Sequence, residues 1–262
     1  MGQIGYRGIY NKKAKAPFRI SRSKIELFTE CARCFWLETV KGIKRPDTAP
    51  FLINSAVDKL LKTEFDVYRK KGQPHPWQIE FKVDAKPYFH KMLDEWRENF
   101  VGIQVEYKAS NLVLFGAVDD IWVNPKGELI VVDYKATAKT KEITELGPMG
   151  GWHDVYRRQM EIYQWLLRQL GFKVSDTGYF VYANGIDSKD GFFNKVEFRT
   201  NVFPYVGNSD WIEERIAELK QTLDSEVMPE VGRRCSYCLY ARTRTELTFE
   251  YLKKQKEAKE KK

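Results

Sequence analysis

Along the chain, apolar positions first recur with a helical period, then switch to alternation, and afterwards mix the two. "SRSKIELFTECARCFWLE" opens as a helix, with Ser23 placed to cap it and Glu26 to close a capping box. "NSAVDKLLKTEFDVYRKKG" holds Val57, Leu60, Leu61, Glu64, Phe65 and Tyr68 at helical spacing, with Gly72 just past its end. "KPYFHKMLDEWRENFVGI" predicts a third helix. From Val105 to Ala136 the pattern turns to β, with one strand near "LVLFG" and then a hairpin. "GGWHDVYRRQMEIYQWLLRQLG" is a strongly amphipathic helix stopped by Gly171. "TGYFVYANG" and "FFNKVEFRTNVF" read as two strands, and "SDWIEERIAELKQTLDSEVMP" as a helix capped by Ser209 or Asp210. Helices, a β-meander, a helix, strands and a helix predict an α/β fold with a central mixed sheet flanked by helices. Residues 1–20, basic and without a period, read as an arm, 21–240 as a single domain, and 241–262 as a charged tail forming a solvated helix end.

The hairpin "FGAVDDIWVNPKGELIVVDYKATAK" holds acids where buried strands should be apolar. "PKG" fits a three-residue loop: Pro125 is pre-set for a type I turn and Gly127 supplies the left-handed position. That loop pairs Asn124 with Glu128, so counting outward sets Asp119 directly across from Asp133. Lys135 shares their face, whereas Tyr134 and Asp120 point to the other, Asp120 as a cap or surface acid. Both faces are otherwise apolar, which places the hairpin inside a covered sheet. Carboxylates about 5 Å apart on facing strands repel by about 3 kcal/mol at an effective dielectric near 20. A positive charge must therefore lie between them. Lys135 alone could supply it as a structural ion pair; a hard divalent cation uses both carboxylates and leaves the lysine free.

Composition narrows the setting. The 262 residues include 44 basic and 36 acidic side chains, a net charge of +8, which favours a polyanionic partner such as nucleic acid. The chain has neither a secretory signal nor an apolar run long enough to span a bilayer, and is expected to be cytoplasmic. In such a compartment the four cysteines are not expected to form disulfides. Cys31, Cys34, Cys235 and Cys238 form two CxxC pairs, the thiolate number wanted by zinc or an iron–sulfur cluster. Free buried cysteines are the plain alternative.

With these residues in hand, "GAVD" followed one strand later by "VVDYKAT" resembles the PD-(D/E)XK nuclease superfamily, and within it the RecB-like exonuclease branch. "QMEIY", Gln159 to Tyr163, matches that branch's QxxxY motif; with Leu166 and Leu170 it forms one helical stripe that should face the sheet. The branch's early GxxxH motif falls on "NSAVD", with Asn54 at the glycine position and Asp58 at the histidine position. That departure keeps an oxygen ligand, and Glu64 on the same helix competes for the role. "ECARCFWL" is similar to the start of the branch's cluster-binding members, although these place one cysteine early and three late.

The resemblance implies a restriction-endonuclease-like core and a metal-dependent DNA nuclease. Mg2+ or Mn2+ would be held by Asp119, Asp133, the Tyr134 carbonyl and Asp58. Lys135 would position or help deprotonate the attacking water, and the metal beside Lys135 would make the lysine itself easier to deprotonate. Gln159 and Tyr163 would orient substrate or water. The cysteines would close the two ends of the domain around a [4Fe–4S] cluster or Zn2+, and a helicase or other DNA-processing protein would be a partner. A binding module on the same fold that has lost cleavage, an RNA-processing nuclease, and a purely structural metal-stapled protein are the alternatives. His75, His90 and His153 have no evident catalytic role.

Overall fold

A computed structural model describes residues 8–49 and 52–260. The first seven residues of the predicted arm and the last two of the tail lie outside the described residues. The chain gathers into two compact units, one comprising 16–23 and 48–214, the other 24–47, 215 onward and the described N-terminal residues up to 15.

The larger unit holds two sheets. β1 (Phe18–Ser21), β3 (Ile103–Tyr107) and β4 (Leu112–Gly116) form a three-stranded sheet in the order β1-β4-β3, with β1 parallel to β4. β2 (Lys86–Pro87), β5 (Asp120–Val123), β6 (Leu129–Thr137), β7 (Thr177–Gly185) and β8 (Phe198–Val206) form a five-stranded sheet in that order. β6 and β7 run parallel and the remaining pairs antiparallel. The parallel pair needs a crossover, supplied by the helix α6 (Asp154–Gln169). The predicted turn is present: Gly127 has φ 74, Asn124 N donates to Glu128 O at 3.1 Å, and the Asn124 side chain accepts from Lys126 N and Glu128 N.

The helix α3 (Leu52–Lys71) covers one face of this sheet. Its Phe65, fully buried, stacks on Trp122 at 5.4 Å and contacts Tyr134 at 5.6 Å. Leu61, Ile130, Val132 and Val181 belong to the same core. On the other face lies α6, whose Met160 packs where a side chain at Gly178 of β7 would project.

Several expectations need correction. Phe18–Ser21 is a strand, although 18–20 were placed in the arm and Ser21 at the start of the first helix; its alternation is too short to stand out in the sequence. The first helix begins at Arg22, so Ser23 lies inside it. It is also two helices, α1 (Arg22–Glu30) and α2 (Ala32–Val40), separated by Cys31 in extended backbone with φ −159. The third helix shrinks to α5 (Leu93–Arg97): Lys86 and Pro87 pair with β5 instead, and Pro87 supplies no N–H to extend a helix. Between α3 and β2 lies an unforeseen short helix, α4 (Pro76–Glu80). "LVLFG" belongs to the smaller sheet, so the chain changes sheets at Ala117–Asp119. Leu60, assigned to the apolar stripe, is 67% exposed.

In the second unit, the part of the helix α7 (Trp211–Asp224) from Arg215 onward contributes buried Ile216, Leu219 and Leu223, and Trp36 Nε1 donates to Ser225 O. The final helix α8 (Ser236–Glu260) is exposed along its length after the first turn. Among the described residues, no helix is long and apolar enough to cross a membrane.

Candidate functional site

Asp119 sits in the bend between the two sheets, one residue before β5. The observed register pairs Asp120 with Val132, and its continuation sets Asp119 across from Asp133, as the turn predicts. Each carboxylate has one oxygen held by a hydrogen-bond donor. Tyr134 N donates to Asp119 Oδ2 at 2.9 Å, and Gln159 Nε2 donates to Asp133 Oδ1 at 2.9 Å. The other oxygens meet ammonium groups. Lys135 Nζ lies 2.5 Å from Asp133 Oδ2, and Lys62 Nζ lies 3.5 Å from Asp119 Oδ1. Asp133 is 1% exposed, and its Oδ2 makes that ion pair without an aligned hydrogen bond among the described residues.

Asp58, on the exposed first half of α3, joins the group through Lys62, whose Nζ is 2.8 Å from Asp58 Oδ2. The competing Glu64 turns away, its Oε1 3.0 Å from His75 Nε2. Asn54 donates to the Ala136 carbonyl at 3.0 Å and so ties the start of α3 to the end of β6. On α6, Gln159 Nε2 also reaches Tyr163 OH at 3.4 Å, and Tyr163 and Leu166 are buried, whereas Leu170 at the stripe's end is 43% exposed. Thus Asp58, Asp119, Asp133, Lys135, Gln159 and Tyr163 come together on one side of the hairpin. The ring of Tyr134 points to the opposite face, as expected.

The electrostatics follow from crowding. Burial, reinforced by Asp119, pushes the Asp133 carboxyl up to about 7 against the pull of Lys135. Burial and Asp119 also raise Asp58. Lys135 is shifted the other way from the expectation of easy deprotonation. Burial alone would lower it, but Asp133 and Asp119 outweigh burial and hold the proton on. Lys62 behaves alike, raised by Asp119 and Asp58 against burial. Two ammonium groups therefore stand where the carboxylates ask for positive charge. That donor set, hard oxygens with one aimed at no aligned donor, fits a divalent cation.

Sequence reading missed Lys62, although it lies one helical turn after Asp58 on the same face. It also misjudged Asp120, which is no surface acid. Asp120 is fully buried, with Oδ1 accepting from Arg69, from Arg97 Nη2 at 2.9 Å and from Ile121 N at 2.8 Å. Its Oδ2 accepts from Tyr134 OH at 2.7 Å. Two guanidinium groups offset its charge and lock the strand on which Asp119 and Tyr134 depend.

The cysteines lie in the second unit. Cys34 Sγ is 3.5 Å from Cys235 Sγ and 3.4 Å from Cys238 Sγ, and Cys31 Sγ is 3.8 Å from Cys238 Sγ. All four sulfurs lie within 4.8 Å of one another. A tetrahedron with Zn–S near 2.3 Å has sulfurs about 3.8 Å apart, so the cluster matches the size of one tetrahedral ion. Burial opposes ionisation of Cys31, but the backbone N–H groups of Cys34 and Gly232 outweigh it and bring the thiol down to about 7. Arg45 donates to Cys235 Sγ at 3.3 Å and supplies charge to offset thiolates.

A family model described as the PD-(D/E)XK nuclease superfamily matches residues 19–243. Among solved structures, the chain is similar to a crystal structure of an exonuclease candidate from Eubacterium rectale. That similarity has 16% identity and a TM-score of 0.44, covering 92% of this chain and 94% of the other. It is also similar to the crystal structure of SSO0001, with 16% identity, a TM-score of 0.39, and coverage of 87% and 86%. A comparison with curated proteins gave no match.

Proposed function

The chain belongs to the PD-(D/E)XK nuclease superfamily, and from that premise we propose that it hydrolyses phosphodiester bonds in DNA as a RecB-like, metal-dependent nuclease. The observation that supports this most directly is the pair Asp119 and Asp133, opposed by continuation of the β5–β6 register, with Asp133 Oδ2 buried against Lys135 and, among the described residues, without an aligned donor. Asp119, Asp133 and Asp58, with the Tyr134 carbonyl, are the groups that would hold Mg2+ or Mn2+. When bound, the cation supplies charge to a non-bridging phosphoryl oxygen and acidifies a water.

The remaining roles belong to the chain. Gln159 and the Tyr134 N–H each engage one carboxylate oxygen and so turn the other toward the shared space. Lys135, kept protonated by Asp133 and Asp119, donates hydrogen bonds to the attacking water or to the phosphoryl oxygens as negative charge grows on them. Tyr163 OH, within reach of Gln159, limits the rotation of that amide. At the cysteines we infer one structural metal centre, and the sulfur spacing favours a single zinc ion over a [4Fe–4S] cubane, whose thiolates sit on separate irons.

Purified protein incubated with linear and circular, single- and double-stranded DNA tests the reading, with Mg2+, Mn2+ or chelator. Cleavage should require metal and should fall by at least about 10²-fold in Lys135→Ala and Asp119→Ala. No cleavage of any substrate, or cleavage that survives both substitutions, rejects it. Metal analysis with a visible absorption spectrum tests the cysteine centre: a brown, iron-loaded protein replaces zinc by the cluster.

A further inference from the structure

Beside the carboxylates, and sharing Lys135 with them, lies a cavity of about 230 Å3 whose walls include Thr137, Lys139, Trp152, Tyr156 and Tyr182. We propose that it receives one unpaired base of a DNA strand, next to the phosphate being cleaved; this rests on the nuclease reading above.

Three features point to a flat, aromatic, hydrogen-bonding guest. Trp152 is 58% exposed yet fixed, lying 3.8 Å from the ring of His153 on one side and edge-on to Tyr156 at 5.1 Å. Lys139 Nζ sits 5.4 Å from the Trp152 ring, which puts positive charge beside a stacking surface. Tyr182 is 4% exposed, lines the cavity, and has a hydroxyl with no hydrogen-bond partner among the described residues. A buried O–H in that state wants a polar edge, and every base has one.

The rim is built rather than loose. Asn184, itself buried, accepts from Lys139 N at 2.7 Å and donates to Lys139 O at 2.8 Å. Arg157 binds the Gly147 carbonyl and Asp154 Oδ1, which secures the approach to Trp152. The cavity is smaller than the ~300–1,000 Å3 of sites for drug-sized ligands, so it suits one ring system. A base in a duplex is stacked and paired and cannot enter. The strand must therefore be single or frayed at this point, and the shared Lys135 keeps the captured base within about one nucleotide of the carboxylates.

Binding is measured without turnover, with no Mg2+ or Mn2+ added, by fluorescence anisotropy of a labelled single-stranded DNA decamer. The decamer is used intact, with one abasic residue walked through each position, and as a blunt duplex. Cleavage of the same DNAs is measured separately with Mn2+. Wild-type protein should bind the intact strand, lose about tenfold in affinity when one particular position is abasic, and bind the duplex worse. Trp152→Ala should lose about tenfold with the intact strand and become indifferent to the abasic position. Tyr182→Phe, which keeps the ring, should narrow the affinity gap between the intact strand and the strand abasic at that position. A uniform abasic profile, or Trp152→Ala binding like wild type, overturns the subsite. If wild type shows the position effect yet cleaves nothing, the nuclease reading fails and the subsite stands; cleavage with no position effect leaves the reverse.

Discussion

Gly116, the first residue of "GAVD", is small because another motif occupies its space. A Cβ there would come within 2.6 Å of Tyr163 Cε1 and 3.2 Å of Arg22 Cβ. Two patterns 40-odd residues apart thus describe one contact, between the end of β4 and α6. Gly116→Ala should cost about 1–3 kcal/mol of stability by overpacking. By displacing Tyr163, and with it Gln159, it should also slow cleavage by roughly 10²-fold. Urea unfolding and single-turnover rates check the two parts; an unchanged rate separates Tyr163 from the chemistry. The Asp133 carboxyl makes a second prediction. Its folded pKa, about 7, exceeds the ordinary value near 3.9. Between those values the metal-free fold binds more protons than the unfolded chain, so its stability falls as pH rises through that window. Cation binding requires the ionised form, so Mn2+ affinity should weaken about tenfold per pH unit below about 7. Titration calorimetry at pH 6 and 8 tests this, and equal affinities refute it.

At the scale of elements, the hairpin was legible and its surroundings were not. Turn chemistry and alternation are local, so Pro125, Gly127 and the strand pattern fixed the register that opposes Asp119 to Asp133. Asp120 looked superfluous because its partners come from other elements: Arg69 of α3 is 51 positions away and Arg97 of α5 is 23. Removing one member of such a buried group strands the others. Asp120→Ala should destabilise the protein by about 3–5 kcal/mol, measured by chemical denaturation, whereas a loss under 1 kcal/mol would mean that the arginines find water. α3 makes a second prediction through Lys62, whose ammonium lies between Asp58 and Asp119. It competes with any cation for the same oxygens. Lys62→Met should therefore lower metal-free stability through carboxylate repulsion yet tighten Mn2+ binding by about tenfold. Weaker binding in this variant would make Lys62 a partner of the cation rather than its rival.

At the scale of the molecule, the two CxxC pairs could be counted in the sequence, but their meeting could not. Cys34 and Cys235 are 201 positions apart, and nothing local encodes that closure. The break at Cys31 was equally hidden, since "ECARCFWL" has an unbroken helical pattern. Extended backbone at Cys31 separates α1 from α2 and accompanies the approach of its sulfur to Gly232 N, at 3.3 Å. Four thiol groups gathered this closely, with Arg45 beside them, are compatible with metal binding. In the proposed metal centre the metal–sulfur bonds tie the two CxxC pairs together, and their loss should let the cluster open. The cluster belongs to the unit that contains 24–47 and 215 onward, whereas the carboxylates belong to the other. Stripping the metal with a chelator under reducing conditions should therefore speed amide exchange in α2 and the first turn of α8. Amides of the β5–β6 hairpin, satisfied within its own sheet, should keep their protection. Hydrogen exchange read by mass spectrometry distinguishes this from its opposites. Equal loss in the hairpin would make the metal a support for the carboxylate site, and no loss anywhere would make the cysteines an ordinary buried cluster.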